Sequence, residues 1–179
     1  MIRLLFRLIY YPCIMFLKII NVISPRLYMK MLLPLLKVSG MNIKGTPRYI
    51  SGDTYFDNFH KITISTRCVI SRKCVFLTHD YSPTVAFVAN DMLDFVRTDV
   101  RLDGDIFLEE NVFVGLGVTI LPDTKIGKNT IIGAGAVVKG VFPPNSIIVG
   151  NPARLLNGGM ERYFNKCMSN RDKFIRDKQ

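Results

Sequence analysis

The sequence predicts a mainly β fold, a parallel β-solenoid of six-residue repeats with an N-terminal helical segment and a short C-terminal helix. Between Ile106 and Gly140 one aliphatic residue returns at every sixth position. A helix would show returns at three and four residues, and a single strand would show returns at every second residue. A six-residue period held this long indicates a triangular coil in which about 18 residues make one turn.

The side chains that point into the coil can be assigned from the repeat. The aliphatic positions are Leu108, Val114, Ile120, Ile126, Ile132 and Val138. Two residues before each lies a smaller or β-branched inward position: Ile106, Val112, Val118, Thr124, Thr130 and Ala136. Glycine follows the aliphatic residue at three positions, where a bend suits a residue without Cβ.

The same period occurs earlier, at Ile64, Ile70 and Phe76. The distance from Phe76 to Leu108 is not a multiple of six, so we expect residues 78–104 to form a loop outside the coil. The domain boundaries that follow are 1–42 for the N-terminal segment, 43–156 for the coil and 157–179 for a C-terminal helical tail. That tail would cover the open end of the solenoid.

The N-terminal segment is basic and apolar. The chain has eight Lys or Arg before its first acidic residue, Asp53, and six of them lie in this segment. Its apolar run between Arg7 and Lys18 is too short for a membrane span, which needs about 20 residues. Two interpretations remain open: helices that pack on this domain or on a neighbouring subunit, and a surface that lies on a membrane through residues 1–40.

Overall composition limits the classes of function. The 179 residues carry a net charge of +10, which suggests an anionic partner, but no nucleic-acid reading motif accompanies it, so no nucleic-acid partner is expected. Cys68 and Cys74 fall at inward positions and are interpreted as core residues. With four cysteines, no CxxC pair and two histidines, no zinc site is expected, and reduced thiols favour a cytoplasmic location.

The later repeats resemble a known family. The stretch "ENVFVGLGVTILPDTKIGKNTIIGAGAVVKGVFPPNSIIVGNPAR" is similar to the C-terminal half of the left-handed β-helix, hexapeptide-repeat acyltransferases. These include galactoside, maltose and serine acetyltransferases and O-acetyltransferases of surface polysaccharides. The resemblance covers about residues 62–155. It implies a left-handed coil, a homotrimer with active sites between subunits, and acetyl-CoA as the donor.

Transfer of an acetyl group to a hydroxyl needs a general base, and histidine suits this near neutral pH. His79 lies where the coil stops, the place of the family's catalytic histidine. Its orienting partner could be Asp80, Asp57 or Glu109; Asp80 could equally cap the following turn. The resemblance implies acceptor contacts for Asp57 and Asn58. His60 is interpreted as a surface or packing residue.

The remaining candidate residues follow from the resemblance. The acceptor site would include Tyr81, in a loop that reaches over a neighbour, and Phe113, which stands where many relatives have Trp. A backbone N–H near Gly115 would hold the oxyanion. CoA would run past residues whose small size or positive charge suits its arm and phosphates: Gly115, Gly117, Gly133, Ala134, Lys139 and Arg154.

The predicted function is acetyl transfer from acetyl-CoA to a sugar hydroxyl in surface polysaccharide or lipopolysaccharide synthesis, with the enzyme in the cytoplasm or at the inner face of the membrane. Three alternatives share the fold. They are an acetyltransferase that modifies an amino-sugar nitrogen or an antibiotic, a zinc-dependent hexapeptide carbonic anhydrase, and an inactive trimeric scaffold. The carbonic anhydrase needs three histidines, and this chain has two.

Overall fold

The computed structural model describes residues 2–92 and 100–173. The chain starts with helices α1 (Ile2–Ile23) and α2 (Pro25–Val38). The strands that follow are β1 (Asn42–Ile43), β2 (Tyr49–Ile50), β3 (Tyr55–Phe56), β4 (Ile62–Ile64), β5 (Val69–Ile70), β6 (Val75–Phe76), β7 (His79–Asp80), β8 (Leu102–Asp103), β9 (Ile106–Leu108), β10 (Phe113–Val114), β11 (Thr119–Ile120), β12 (Thr124–Ile126), β13 (Ile131–Ile132), β14 (Val137–Val138), β15 (Val141–Phe142), β16 (Ile147–Val149) and β17 (Arg154–Leu155). Helix α3 (Ser82–Ala89) lies between β7 and β8, and α4 (Gly159–Ser169) follows β17.

The strands of the coil form three parallel sheets that the chain visits in rotation. The first sheet has the order β1-β4-β9-β12-β15, the second β2-β5-β10-β13-β16, and the third β3-β6-β11-β14. Each turn of the chain therefore adds one strand to each sheet, the arrangement that the six-residue period predicts. Strand β17 adds to the second sheet next to β16 but runs antiparallel to it.

The interior of the coil is a stack of the predicted aliphatic residues. Leu108, Val114 and Ile120 are fully buried, as are their counterparts Ile64, Ile70 and Phe76 in the earlier turn. Burial of one such side chain stabilises the fold by about 1.5–3 kcal/mol. Thr124 and Thr130 are buried at the smaller inward positions, and their hydroxyl groups donate to backbone carbonyls.

Cys68 and Cys74 also lie in this core. Both side chains are fully buried, and their thiols donate to the carbonyls of Glu109 and Gly115 at 3.0 and 3.2 Å. Burial raises the pKa of both thiols. The two residues fill the coil as the repeat predicts. Within the described residues, no group of three or more His, Cys, Asp or Glu side chains could hold a metal ion.

The N-terminal helices pack as a pair on the first turn of the coil. Ser24 ends α1 and caps α2, because its hydroxyl accepts the N–H of Leu27 at 3.2 Å. Tyr28 is fully buried and donates its hydroxyl to the carbonyl of Ile50 at 2.9 Å. Lys18 of α1 forms an ion pair with Asp53. The burial of Tyr28, its hydrogen bond to Ile50 and the Lys18–Asp53 ion pair thus hold these two helices on the coil. The two helices, residues 2–38, are called the helical pair.

The helical pair leaves apolar side chains on its outer surface. Val22 and Ile23 are 86% and 80% exposed, and Met15, Phe16 and Ile19 are exposed as well. Among the described residues, no helix combines the length and apolar character that a membrane span requires. The structure therefore shows both a buried face, which the packing interpretation predicts, and an apolar outer face.

Residues 78–104 leave the coil and return to it at one corner. The N–H of Gly104 donates to the carbonyl of Thr78 at 2.9 Å. Strands β7 and β8 pair antiparallel at the base, and α3 follows β7. The insertion is therefore partly regular rather than a loop throughout; residues 93–99 lie outside the described residues.

Candidate functional site

His79 lies at the corner where the chain leaves the third sheet. Its Nδ1 atom is 2.5 Å from Oδ2 of Asp57, which follows β3 in the previous turn. Phe56 and Phe76 are partners in adjacent strands, so the corners that follow them are stacked. Stacking of turns thus brings together two residues that are 22 positions apart in the sequence.

One carboxylate oxygen of Asp57, Oδ2, accepts three hydrogen bonds. In addition to His79, it accepts the Thr78 hydroxyl at 2.7 Å and the Thr78 N–H at 3.1 Å. Burial alone would raise the pKa of Asp57, but the hydrogen bonds from Thr78 and His79 outweigh it and lower that pKa. Asp57 is therefore a carboxylate at neutral pH. Its side chain is 8% exposed, whereas that of His79 is 34% exposed.

This contact assigns the two imidazole nitrogens of His79. A carboxylate can only accept hydrogen bonds, so the proton of this contact lies on Nδ1, which donates it to Asp57. The lone pair of a neutral imidazole then lies on Nε2. Asp57 orients the ring, and one-third of the His79 side chain is exposed, so a substrate can reach it. This arrangement can therefore supply a general base.

Asp80 does not contact His79 through its carboxylate. Its two oxygens accept the N–H and the hydroxyl of Ser82 at 2.8 and 2.9 Å, at the start of α3. These hydrogen bonds, together with the nearby charge of Lys139, lower the pKa of Asp80. Asp57 is therefore the one of the three candidates that contacts His79, and Asp80, which the sequence left open between partner and cap, caps the following turn instead.

The other candidates around the histidine have different surroundings. Glu109 contacts the N–H of Lys128 at 3.0 Å and does not reach His79. Asn58 caps a 3-10 helix, Phe59–Lys61, by accepting the N–H of His60 at 3.3 Å. The ring of Tyr81 stands edge-on to that of His79, with centroids 5.2 Å apart. Of the predicted acceptor residues, Asp57 and Tyr81 therefore adjoin the histidine.

Phe113 lies elsewhere within the chain. It belongs to β10 in the second sheet, and its ring is exposed beside the end of the helical pair. His79 follows the third sheet. A single chain therefore does not combine Phe113 and His79 in one pocket.

The backbone N–H groups of the predicted donor glycines are engaged in the coil. Gly115 donates to the carbonyl of Ile132 at 2.9 Å, Gly117 to Arg72 at 3.0 Å and Gly133 to Ile148 at 2.8 Å. The N–H of Gly115 itself is therefore not available to an oxyanion, and a donor elsewhere near Gly115 stays a prediction. A Cβ atom on Gly115 would lie 2.6 Å from the backbone nitrogen of Ala134, so the contact between turns requires glycine there.

Small and basic residues predicted to line the donor site lie on the outside of the coil. Ala134, Lys139 and Arg154 are exposed. Lys139 follows β14 of the third sheet, and His79 follows β6 of the same sheet, so both lie on the same side of the coil. Arg154 pairs with Val149 in the last strand. Their contact with CoA stays a prediction.

The sequence and the fold match known proteins. Residues 105–140 match the family described as bacterial transferase hexapeptide (six repeats). A putative acetyltransferase of Schizosaccharomyces pombe is 49% identical over 106 residues, which are 58% of this chain and 49% of that protein. A putative lipopolysaccharide biosynthesis O-acetyl transferase of Escherichia coli is 28% identical over 103 residues, 55% of this chain and 51% of that protein.

A solved structure with a similar fold is a maltose O-acetyltransferase from Clostridium difficile. It is 27% identical, with a TM-score of 0.52, and the match covers 69% of this chain and 72% of that chain. The chain spans about half the length of the two curated relatives described above.

Proposed function

Because this chain is a hexapeptide-repeat protein that resembles the acetyltransferases of that class, we propose that it transfers an acetyl group from acetyl-CoA to a hydroxyl of a saccharide. The observation that carries this proposal is the contact of His79 Nδ1 with Asp57 Oδ2 at 2.5 Å. It supplies an oriented base at the corner where the resemblance expects one. The names of the maltose and lipopolysaccharide O-acetyltransferases support a sugar hydroxyl as the acceptor.

The reaction that this arrangement supports is direct transfer. Nε2 of His79 removes the proton of the acceptor hydroxyl as its oxygen attacks the thioester carbonyl carbon. The carbon–sulfur bond then breaks, and the sulfur of CoA leaves with the proton that His79 has taken. Asp57 stabilises the imidazolium that forms between these two steps and fixes the ring so that Nε2 faces the acceptor.

The assembly belongs to the same proposal. The rotation through three parallel sheets supports a triangular coil, and the similarity to the maltose enzyme supports a left-handed one. A homotrimer would place Phe113 of one subunit near the histidine corner of a neighbour, which one chain does not do. We propose that CoA lies along the outer face that carries Ala134 and Lys139, with Arg154 near its phosphates.

The proposed location is the cytoplasm, at the inner face of the membrane. The exposed side chains of Val22 and Ile23 in the helical pair, together with its basic residues, suit contact with a lipid surface. Deletion of residues 1–38 would expose the buried first turn, so a milder change is preferable. Val22→Ser with Ile23→Ser should reduce the fraction that sediments with anionic vesicles, and unchanged sedimentation would contradict this location.

The test of the proposed function is acetyl-CoA binding and turnover. We expect micromolar binding of acetyl-CoA by calorimetry to both the wild type and His79→Ala. The rate of CoA release in the presence of a sugar acceptor should be about 10²–10⁴-fold lower in His79→Ala, because a general base contributes a rate factor of this size. His60→Ala, which changes the other histidine, is the matched control and should keep the wild-type rate.

The outcomes separate the alternatives. Absence of acetyl-CoA binding in both proteins would favour the inactive scaffold. Acetylation of an amino-sugar nitrogen in preference to any hydroxyl, detected by the acid and base stability of the product, would contradict the O-acetyl assignment. Full activity of His79→Ala would overturn the role of the histidine.

A further inference from the structure

A cleft of about 1100 Å³ lies between the helical pair and the second sheet, away from the histidine corner. Its floor is apolar and includes Met29, Val69 and Val112. Four basic side chains line it, two from the start of α2 and two from the coil: Arg26, Lys30, Arg48 and Arg67. The cleft is defined here by these lining residues and is called the basic cleft.

The basic cleft keeps its positive charge. Its lining residues include no carboxylate, and within residues 2–92 and 100–173 none of its four cations forms an ion pair. The cations Lys18 and Arg72 differ, because both form an ion pair with Asp53. Four like charges that line one cleft repel one another and would be stabilised by a bound anion.

Arg67 has an unusual backbone for its residue type. It has a φ of 61° at the corner between the first and second sheets. In the next three turns the equivalent corner is Asn111, Asn129 and Asn145, which tolerate the left-handed conformation well. The amides of these three form a ladder, with contacts of 3.0 and 3.1 Å. Arginine is therefore less suited to this corner than the asparagines of the later turns, and here its side chain lines the basic cleft.

Aromatic rings form the sides of the basic cleft. Tyr49 lines it from the first turn, and Phe113, which is 43% exposed, lines it from β10. Exposed rings beside apolar floor residues give sugar rings a flat surface to pack on, whereas arginine forks bind phosphate oxygens in pairs. The combination suits a ligand that has both a sugar and a phosphate.

We propose that the basic cleft binds a phosphate-bearing saccharide, an inference that deepens and rests on the proposed function. The phosphate lies against Arg67, Arg48 and the α2 cations, and the sugar packs on Tyr49 and Phe113. The acceptor class is thereby narrowed from a sugar to a sugar that carries a phosphate.

The phosphate could belong to a soluble sugar phosphate or to a lipid-linked one. The two present the same group to the cations of the cleft. Ile23 lines the cleft and is 80% exposed, and Val22 beside it is 86% exposed. An apolar surface at the mouth of a phosphate site gives a lipid chain a place to lie, so the lipid-linked form is expected.

The test compares Arg67→Asn with Lys73→Asn in the full-length chain. Lys73 has a φ of 59° at a corner outside the basic cleft, so the two substitutions remove the same charge from the same backbone conformation. Calorimetry with galactose 1-phosphate should show binding that Arg67→Asn weakens about tenfold and Lys73→Asn leaves unchanged. Free galactose should bind at least about tenfold more weakly to the wild type.

Stability separates loss of binding from loss of fold. Arg67→Asn introduces the residue that the next three turns use, so its melting temperature should equal or exceed that of the wild type. Equal binding of galactose and galactose 1-phosphate, or equal weakening by Arg67→Asn and Lys73→Asn, would overturn the proposal. Acetyl-CoA binding, measured in the same variants, should stay unchanged; its absence in the wild type would count against the proposed function and not against the cleft.

A second arm distinguishes the sources of the phosphate. Phosphatidylcholine vesicles with undecaprenyl phosphate should retain the wild type more than Arg67→Asn. Binding of galactose 1-phosphate without such retention would support the site and assign it to a soluble ligand. Phosphatidylglycerol vesicles of the same charge are the control. If they retain the wild type equally well, and if Arg67→Asn and Lys73→Asn reduce this retention equally, only surface charge is recognised and the proposal is overturned.

Discussion

The early turns of the coil, residues 42–80, and the late turns, residues 106–149, have the same interior and different corners. Ile64 and Ile120 are equally buried. At the corners, the late turns carry Asn129 and Gly117, whereas the early turns carry Arg67 and Lys73 in the same left-handed conformation. The packing of one turn on the next therefore determines the interior residues in both regions. The corners of the early turns differ, because they carry residues that this packing does not favour.

The common interior gives the largest expected effect on stability. Ile64→Ala and Ile120→Ala should each lower the free energy of unfolding by about 2–5 kcal/mol, because each leaves a cavity in a packed stack. Val141→Ala is the control, since that side chain is 76% exposed. Urea unfolding followed by circular dichroism measures all three. A loss confined to one of the two isoleucines would show that the interiors are not equivalent.

The next effect concerns the corner that carries Asp57. Asp57→Asn replaces the carboxylate with a neutral amide, so the imidazolium loses its charged partner and an N–H group can turn towards Nδ1. The ring then loses its fixed orientation and tautomer, and kcat should fall by up to about a hundredfold with KM little changed. Asp105→Asn, an exposed carboxylate outside the site, is the control. The pH dependence of kcat should also change in Asp57→Asn, which a merely structural role would not cause. An equal fall in Asp80→Asn would restore Asp80 as a candidate partner.

A smaller effect is expected from the late corners. Asn129 donates to Asn145 and accepts from Asn111, so Asn129→Ala should lower the free energy of unfolding by about 1–2 kcal/mol. Lys73→Asn should raise it by up to about 1 kcal/mol, because asparagine adopts positive φ more readily than lysine. Thermal unfolding compares both with the wild type, and stabilisation by Asn129→Ala would refute the role of the ladder.

The smallest effect is the acid dependence that Asp57 contributes. The folded-state pKa of Asp57 is lowered, so its contribution to stability is complete above the unfolded pKa of about 3.9 and is lost as pH falls through the folded value. The stability of Asp57→Asn should therefore decrease less steeply below about pH 4 than that of the wild type. Urea midpoints across this range give the slopes, and parallel slopes would contradict the carboxylate assignment.

The regular part of the fold could be predicted because one side chain in six must fill the same narrow interior. Leu108 and Ile126 repeat at 18 residues, and the structure pairs the strands that carry them. The first turn is longer, since Phe56 pairs with Phe76 twenty residues later. That irregular spacing hid the register there, so the sequence alone left Asp57, Asp80 and Glu109 as equal candidates.

The six-residue period gave no signal for the basic cleft, for a related reason. Arg26 and Arg67 are 41 positions apart and approach one another because a helical pair packs on the coil. Periodicity describes contacts between turns and carries no information about this packing. A sharper signal was present at the corners: comparison of Arg67 with Asn111 one turn later would have marked it as an exception to its own repeat.

The two ends of the coil have consequences for how the protein behaves at high concentration. Parallel strands at each end of such a coil present unpaired backbone groups, to which the end of another molecule could add, and repeated addition would produce fibres. At one end α2 packs on the first turn, and at the other β17 reverses direction against β16. Neither end therefore presents the parallel strand edge on which a further turn would add, and this protects the protein against end-to-end association into fibres.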